Sequence, residues 1–337
     1  MSEEAIWHAC LYCLDSSLNL QEPAKTSPGP IYLSSADKAF PWKDKKWVKG
    51  IGEGRQNGDT LDHGEDWLKM QRDRRDILNA TCLKKSLSSS KWQMEHRVAR
   101  QLFVDENHKF IYCEVPKVGC SNWKKILLLL TLNISRNTSE VNYSTIHTTN
   151  LLKRLSSYSP EQQLEFLSTY TKVMFTRHPL ERLVSAYRDK LLHSEPYYSI
   201  TVANKIKAFS NRKNYTTKVT FQEFVNYVVA RNPKDMDIHW QPMFLLCDPC
   251  NIHYDILGKL ETLAQDVDHV LRRIGAPENL YYPDSKFYAS EKRTNKDITL
   301  NYLRELSFDK MQTVKEVYQI DLSLFNYTFT LKTDFFL

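Results

Sequence analysis

The chain has 337 residues, 42% of them hydrophobic and 26% charged, enough to close one large α/β core with an extension. Its formal net charge is +6, unevenly spread: residues 151–218 hold twelve Lys/Arg against five Asp/Glu. Such a local positive field suits an anionic ligand or a solvated face, while the lack of a long basic run with interleaved aromatics argues against nucleic acid.

Residues 1–65 read as a poorly ordered stem. Six of the nine glycines fall there, with Pro23, Pro28, Pro30 and Pro41, and apolar periodicity is weak. Ile6–Leu14 is too short to span a membrane and lacks a basic flank. Glu65–Leu87 is a charged helix with Trp67, Leu68, Ile77, Leu78 and Cys82 as its anchors, so 66–90 reads as a helical stem and 91–330 as the globular domain. Phe110–Val115 is an aromatic and β-branched run that predicts a buried strand, closed by Pro116. Lys117–Asn122 is a small-residue turn, and Trp123–Leu130 continues as an apolar helix. A strand, a tight glycine turn and a helix can ring an anion with backbone N–H groups and a positive helix end; a lysine there adds charge. The competing reading is a plain strand–helix corner.

The polar segment 133–149 contains His147, and Glu161–Ser168 is helical. Val173–Thr176 is a second buried strand, ended by Arg177-His178-Pro179. Leu180, Leu183, Val184, Tyr187 and Leu191 then form one helix face, leaving Arg182, Ser185, Arg188 and Asp189 opposite. Arg177 thus stands at a strand's C-terminal end, where open α/β sheets bind ligands. Thr220 and Glu223 form a capping box opening a helix through Val229. Asp237–Cys250 is a compact aromatic loop, Tyr254–Leu257 a short strand, Leu260–Gly275 a helix, and Asp297–Tyr318 a helix interrupted near Ser307–Asp309. The elements together predict an α/β fold with a parallel sheet flanked by helices.

Seven cysteines cannot all pair: Cys10, Cys13, Cys82, Cys113, Cys120, Cys247 and Cys250. Cys247-x-x-Cys250 is open to zinc, a redox pair or structural disulfides, and no second ligand pair completes a zinc set. Six N-x-S/T sequons, at Asn79, Asn133, Asn137, Asn142, Asn214 and Asn326, lean towards the secretory pathway.

Taken together, two stretches resemble the cofactor motifs of Golgi carbohydrate sulfotransferases, on the branch of the chondroitin and N-acetylgalactosamine 4-O-sulfotransferases and the glucuronyl 3-O-sulfotransferase. Residues 116–124, PKVGCSNWK, resemble the 5′-phosphosulfate loop; residues 177–190, RHPLERLVSAYRDK, resemble the 3′-phosphate motif, with His178 where the family usually has an acid. Further likeness lies in HW-x-P at 239–242, C-x-P-C at 247–250, YDILGKLE at 254–261 and the closing D-x-x-LF-x-Y at 321–327. The resemblance implies the P-loop-like sulfotransferase fold and 3′-phosphoadenylyl sulfate as donor, with no metal. It assigns Pro116, Lys117, Val118, Gly119, Cys120, Ser121 and Asn122 to the 5′-phosphate side. It assigns Arg177, His178, Pro179, Leu180, Glu181, Arg182, Leu183, Val184 and Ser185 to the 3′-phosphate side. Lys117 would meet the leaving phosphate. His147 lies where related enzymes carry a histidine base, and His239 is the second candidate.

The resemblance further implies a glycan acceptor, no nucleic acid, and a lumenal Golgi enzyme held by a type II membrane anchor that this sequence does not show. MDIHW at 236–240 and STYTK at 168–172 sit nearest the N-acetylgalactosamine 4-O enzymes. Two other functions compete with this reading. A P-loop kinase or GTPase needs G-x-x-x-x-G-K-[ST], which residues 116–124 lack. A non-catalytic glycan-binding protein on the same scaffold would have no use for intact Lys117, Arg177 and Ser185.

Overall fold

The computed structural model describes residues 59–134, 138–193, 195–283 and 291–329. The stem expected over most of 1–65, Cys10, Cys13 and Asn137 lie outside the described residues.

The elements that position the site are α1 (Asp59–Lys84), β1 (Leu102–Asp105), β2 (Phe110–Cys113), α2 (Cys120–Leu132), α3 (Tyr143–Thr148), α4 (Pro160–Thr169), β3 (Thr171–Thr176), α5 (Pro179–Leu191), α6 (Phe221–Val229), β4 (Ile256–Lys259), α7 (Leu263–Arg273), α8 (Lys296–Leu303) and α9 (Phe308–Leu324). The sheet runs β1-β2-β3-β4. β2, β3 and β4 are parallel, with Cys113 opposite Met174 and Thr176 opposite Lys259, so all three open into loops at the same edge. Every residue of β2 is buried, as expected for a parallel strand covered on both faces.

Several boundaries differ from expectation. β1, which periodicity did not reveal in four residues, pairs antiparallel with β2 and adds an edge to the parallel sheet. β2 ends at Cys113, and the Glu114 amide carries the β1 register one pair further by donating to Gln101 O at 2.7 Å. α2 starts three residues before Trp123, since Gly119 takes a left-handed φ of 79° and sets the helix boundary itself. The stretch 237–250 contains a short helix, Met243–Cys247, whose first amides are capped by Asp321: Met243 N and Phe244 N donate to its carboxylate at 2.7 and 2.9 Å. The capping box at Thr220–Glu223 opens α6, with the Thr220 amide donating to Glu223 at 2.7 Å.

Two apolar clusters fill the molecule. One wraps the sheet and takes in Trp67, Trp123, Phe175 and Val270. The other joins α5, α6 and α9 through Tyr187, Phe224, Val314 and Tyr318. Cys247 and Cys250 do not pair with each other; the disulfides are Cys113–Cys247 and Cys82–Cys250. Cys120 is a free thiol. Among the described residues no His, Cys, Asp and Glu group could hold a metal ion, and no helix is long and apolar enough to cross a membrane.

α1 is bolted to the sheet through one buried carboxylate. Asp266, at the start of α7, accepts from Trp67 Nε1 (2.9 Å), Gln71 Nε2 (3.2 Å), Arg74 (2.9 Å), the Lys259 amide (3.0 Å) and Thr262 Oγ1 (2.5 Å). Removing it strands the Arg74 charge and several donors. Asp266→Ala is expected to cost about 3–5 kcal/mol in denaturant unfolding, the range for breaking a buried pair by deleting one partner. A loss below about 1 kcal/mol would show that α1 is held by its apolar contacts and by the direct bonds of Gln71, Arg74 and Arg75 to the backbone of Leu257 and Asp255.

Candidate active site

The loop between β2 and α2 starts from a fixed point, since Cys113 is tied by its disulfide and Val115, Pro116 and Val118 are buried. Lys117 has a left-handed φ of 72°, rare for a residue with a side chain. Two contacts hold it: Arg177 donates to its carbonyl at 3.1 Å, and its ammonium lies 2.9 Å from Asp189 on α5. Burial lowers the Lys117 pKa, with Asp189 opposing. Tyr282 Oη donates to Gly119 O at 3.0 Å, and a Cβ at 119 would lie 2.0 Å from that oxygen. Asn122 reaches across to Pro283 O at 2.8 Å. Gly119 offers α2 no side-chain cap, and the first turn contains no acid. The positive helix end therefore faces the loop with no side chain of α2's first turn neutralising it, while the Asn122 amide is taken by Gly119 O at 3.1 Å.

The second loop leaves β3. Arg177 is 5% exposed. Besides Lys117 O it donates to Thr294 O at 2.5 Å, while its Nε is buried without a hydrogen-bond partner, 3.6 Å from Glu181. The guanidinium is thus buried with one N–H short of a hydrogen bond, and Glu181 beside it offsets part of its charge. His178 caps α5, its Nδ1 accepting from the Leu180 amide at 3.3 Å, and burial lowers its pKa. Pro179 occupies the helix start, Leu180, Leu183 and Val184 are buried, and Ser185 is half-buried one turn before Asp189.

Arg182 differs from the amphipathic expectation. It is 1% exposed rather than on a solvated face, and it donates to Pro116 O (2.9 Å), Gln241 O (2.6 Å) and Ile238 O (2.7 Å). Three carbonyls of converging loops need donors there, and only a guanidinium reaches all three. Arg188 likewise turns to a neighbouring segment, donating to Thr294 Oγ1 at 2.7 Å.

Two histidines face the same cleft. His147, on α3, lies against Tyr143 with ring centroids 4.5 Å apart and is exposed. Its pKa lies below the usual imidazole value, through loss of solvent that the ring's exposure keeps modest and through the Lys124 and Lys190 ammoniums, against Glu114. His239 is buried more deeply; its Nδ1 lies 2.7 Å from Asp237 Oδ1 and 3.0 Å from Tyr198 Oη. Desolvation also lowers its pKa, with Asp237 opposing and Lys190 and Lys117 adding to the shift. Beneath the cleft Glu114 is fully buried between Lys124 (2.5 Å) and Arg154 (2.8 Å). Burial would raise its pKa, but the two cations hold it at about 2.

The structure thus brings Lys117, Arg177, His147 and His239 around one edge of the sheet. Sequence reasoning missed Asp189 as the partner of Lys117, Tyr282 as the cover of Gly119, and Tyr198 and Asp237 beside His239. Only Asp237-x-His239 had a visible signal, the short spacing that lets a carboxylate reach a following imidazole.

The model of the Sulfotransferase family matches residues 100–328, which include both loops. Carbohydrate sulfotransferase 8 of Mus musculus is 34% identical over 333 residues, covering 92% of this chain and 80% of its own length. Carbohydrate sulfotransferase 9 of Homo sapiens is 38% identical over 268 residues, and the chain spans 60% of its length. Carbohydrate sulfotransferase 11 of Rattus norvegicus is 35% identical over 269 residues, 76% of this chain and 75% of its own. No solved structure matches. With the matched region covering both loops and all four strands, the chain belongs to the sulfotransferase family, on its carbohydrate sulfotransferase branch.

Proposed function

We propose that this enzyme moves the sulfuryl group of 3′-phosphoadenylyl sulfate to the 4-hydroxyl of an N-acetylgalactosamine in a glycoprotein glycan or a chondroitin or dermatan chain. The observation that carries the donor side is the pairing of the α2 N-terminus, which has no side-chain cap at Gly119, with the buried Arg177, whose Nε makes no hydrogen bond and meets Glu181 only at 3.6 Å. The amides of residues 118–122 would cradle the 5′-phosphate. Arg177 and Ser185 would hold the 3′-phosphate, the group that separates this donor from ATP.

Lys117 would leave Asp189 for the bridging oxygen and stabilise the charge that develops on the departing phosphate. Sulfuryl transfer, like phosphoryl transfer, asks for in-line positioning and charge stabilisation more than covalent catalysis. The acceptor hydroxyl needs a base. His147, named by the family segment, and His239 both stand on that side of the cleft. The likeness of MDIHW and STYTK supports the 4-O acceptor; transfer to the 3-hydroxyl of a glucuronyl residue is the alternative.

Labelled sulfate transfer should be compared on desulfated chondroitin, desulfated dermatan, a terminal N-acetylgalactosamine disaccharide and a terminal glucuronyl disaccharide. Transfer to the galactosamine acceptors at least tenfold above the glucuronyl one is expected, and Lys117→Ala should lower it about a hundredfold or more. Preference for the glucuronyl acceptor overturns the 4-O assignment; donor-analogue binding with no turnover on any acceptor favours a glycan-binding protein.

The 3′-phosphate assignment has its own test. Arg177→Lys keeps a charge but loses the planar fork. It should weaken adenosine 3′,5′-bisphosphate by about 1.5–3 kcal/mol in calorimetry, and Ser185→Ala by less. The analogue lacking the 3′-phosphate should hardly respond. Equal weakening of both nucleotides removes the assignment.

We also place the enzyme in the Golgi lumen, held by a membrane anchor outside the described residues. Two disulfides among the described residues and the exposed sequon residues Asn79, Asn133 and Asn214 support an oxidising, glycosylating compartment. Glycosidase digestion after expression in a secretory host should shift the band on a gel, and an unshifted band counts against the compartment.

A further inference from the structure

Beside the donor loop stands a set of groups that neither cofactor motif contains: Asp237, His239 and Tyr198. The Asp237 carboxylate is saturated on its inner side. Oδ1 accepts the His239 backbone N–H at 2.9 Å and lies 2.7 Å from His239 Nδ1, while Oδ2 accepts the Tyr198 hydroxyl at 2.9 Å. An ionised carboxylate only accepts, so the nitrogen facing it carries the proton. Asp237 is held in that ionised form: burial alone would raise its pKa, but the bonds from His239 and Tyr198 lower it. With the proton fixed on Nδ1, the lone pair of the neutral ring is on Nε2. No described residue hydrogen-bonds to Nε2.

The position of the ring is as constrained as its tautomer. Arg182 donates to the carbonyls of Ile238 and Gln241, on either side of His239, and with its third direction to Pro116, the residue before Lys117. One buried guanidinium therefore sets the spacing between Lys117 and His239. Trp240 is buried and its carbonyl takes the Tyr318 hydroxyl at 2.6 Å, which fixes the loop from the other side. His147 contrasts with this: it is exposed on a six-residue helix and rests on an aromatic ring. No described residue bonds to its nitrogens to choose a tautomer.

We propose that His239 is the general base for the acceptor hydroxyl, with Asp237 and Tyr198 positioning it through Nδ1. This rests on the sulfuryl-transfer reading above. In the step, the acceptor O–H proton passes to Nε2 as the oxygen forms its bond to sulfur. The bond from sulfur to the 5′-phosphate oxygen breaks, and its electron pair leaves on that oxygen beside Lys117. The products are the sugar sulfate ester and adenosine 3′,5′-bisphosphate, and the imidazolium returns its proton to water.

The charged groups facing the ring define its pH response. They are Asp237 on its own loop, Tyr198 from the segment Tyr197–Val202, Asp189 and Lys190 from α5, Lys117 from the donor loop and His147 from α3. Desolvation and the two ammoniums depress the imidazole pKa, and Asp237 props it up. The ring is neutral, and so competent as a base, at pH 7; activity falls as acid protonates it. Asp237→Asn removes the prop, so the acid limb of kcat moves to lower pH while kcat itself falls.

The test uses the full chain with labelled sulfate transfer, the pH profile of kcat, and calorimetry on adenosine 3′,5′-bisphosphate. His239→Ala should lower kcat about a hundredfold or more, with nucleotide affinity and acceptor KM within about twofold of the parent. Added imidazole should restore part of that turnover, a rescue that a purely structural histidine does not give. Asp237→Asn should lower kcat about tenfold and shift the acid limb downward; Asp237→Glu should recover part of both. The proposal is overturned if His239→Ala turns over within tenfold of the parent, or if His147→Ala costs more than His239→Ala. If His239→Ala fails to bind the nucleotide, Asp237→Asn decides, and an unshifted acid limb overturns the assignment. A parent chain that binds nucleotide but sulfates no acceptor instead removes the sulfuryl-transfer reading.

Discussion

A guanidinium with no carboxylate bonded to it lies at the centre of this molecule. Arg182 is enclosed, and its donors end on the carbonyls of Pro116, Ile238 and Gln241. Leaving such a charge unsatisfied inside a protein would cost several kcal/mol, so the three loop backbones are obliged to converge on it. Burial lowers its pKa, with Tyr318 and Asp321 the first groups to oppose that shift. The geometry of the cleft follows from this convergence. The loop of Lys117 and the loop of His239 come from sequence segments more than a hundred residues apart, yet one side chain rules the gap between them.

Around that centre the donor loop is held in a conformation it would not choose alone. Lys117 and Gly119 both have positive φ, and each has its carbonyl captured, by Arg177 and by Tyr282 respectively. Strain of this kind persists only where the surroundings over-determine it, and it clusters at functional sites. The Lys117–Asp189 contact gives the ammonium a partner that an incoming anion must displace. On the proposed reading, Lys117 would serve in turn as the partner of Asp189 and as the charge that meets the departing phosphate.

Much of this was legible in the sequence where local chemistry decides. The strand–turn–helix at 110–130 and the strand–helix at 173–191 follow from aromatic and β-branched runs, one glycine, one proline and a 3.6-residue apolar period. The start of α2 was misplaced because Cys120, Ser121 and Asn122 resemble turn residues, whereas in a helix's first turn short polar side chains are well tolerated. Arg182 was read as a surface residue because an amphipathic pattern sends arginine to water unless backbone acceptors gather elsewhere, and that gathering is tertiary. β1 was too short to carry a period. Tyr198 and Tyr282 reach their partners from distant segments, and no local pattern announces them.

The two disulfides share one short stretch of chain. Cys247 and Cys250 are separated by two residues, but their partners lie 134 and 168 positions away. In an unfolded chain each of these cysteines has the other as its cheapest partner, because closing a small loop loses far less entropy than closing a long one. First capture during oxidation therefore favours a bond that the native state does not contain. A Cys247–Cys250 bond formed early would have to be undone by thiol–disulfide exchange before β2 and α1 receive their native partners. The docking of β2 and α1, rather than nearness in the chain, therefore decides which sulfurs meet, and among the described residues it leaves Cys120 as a free thiol at the start of α2.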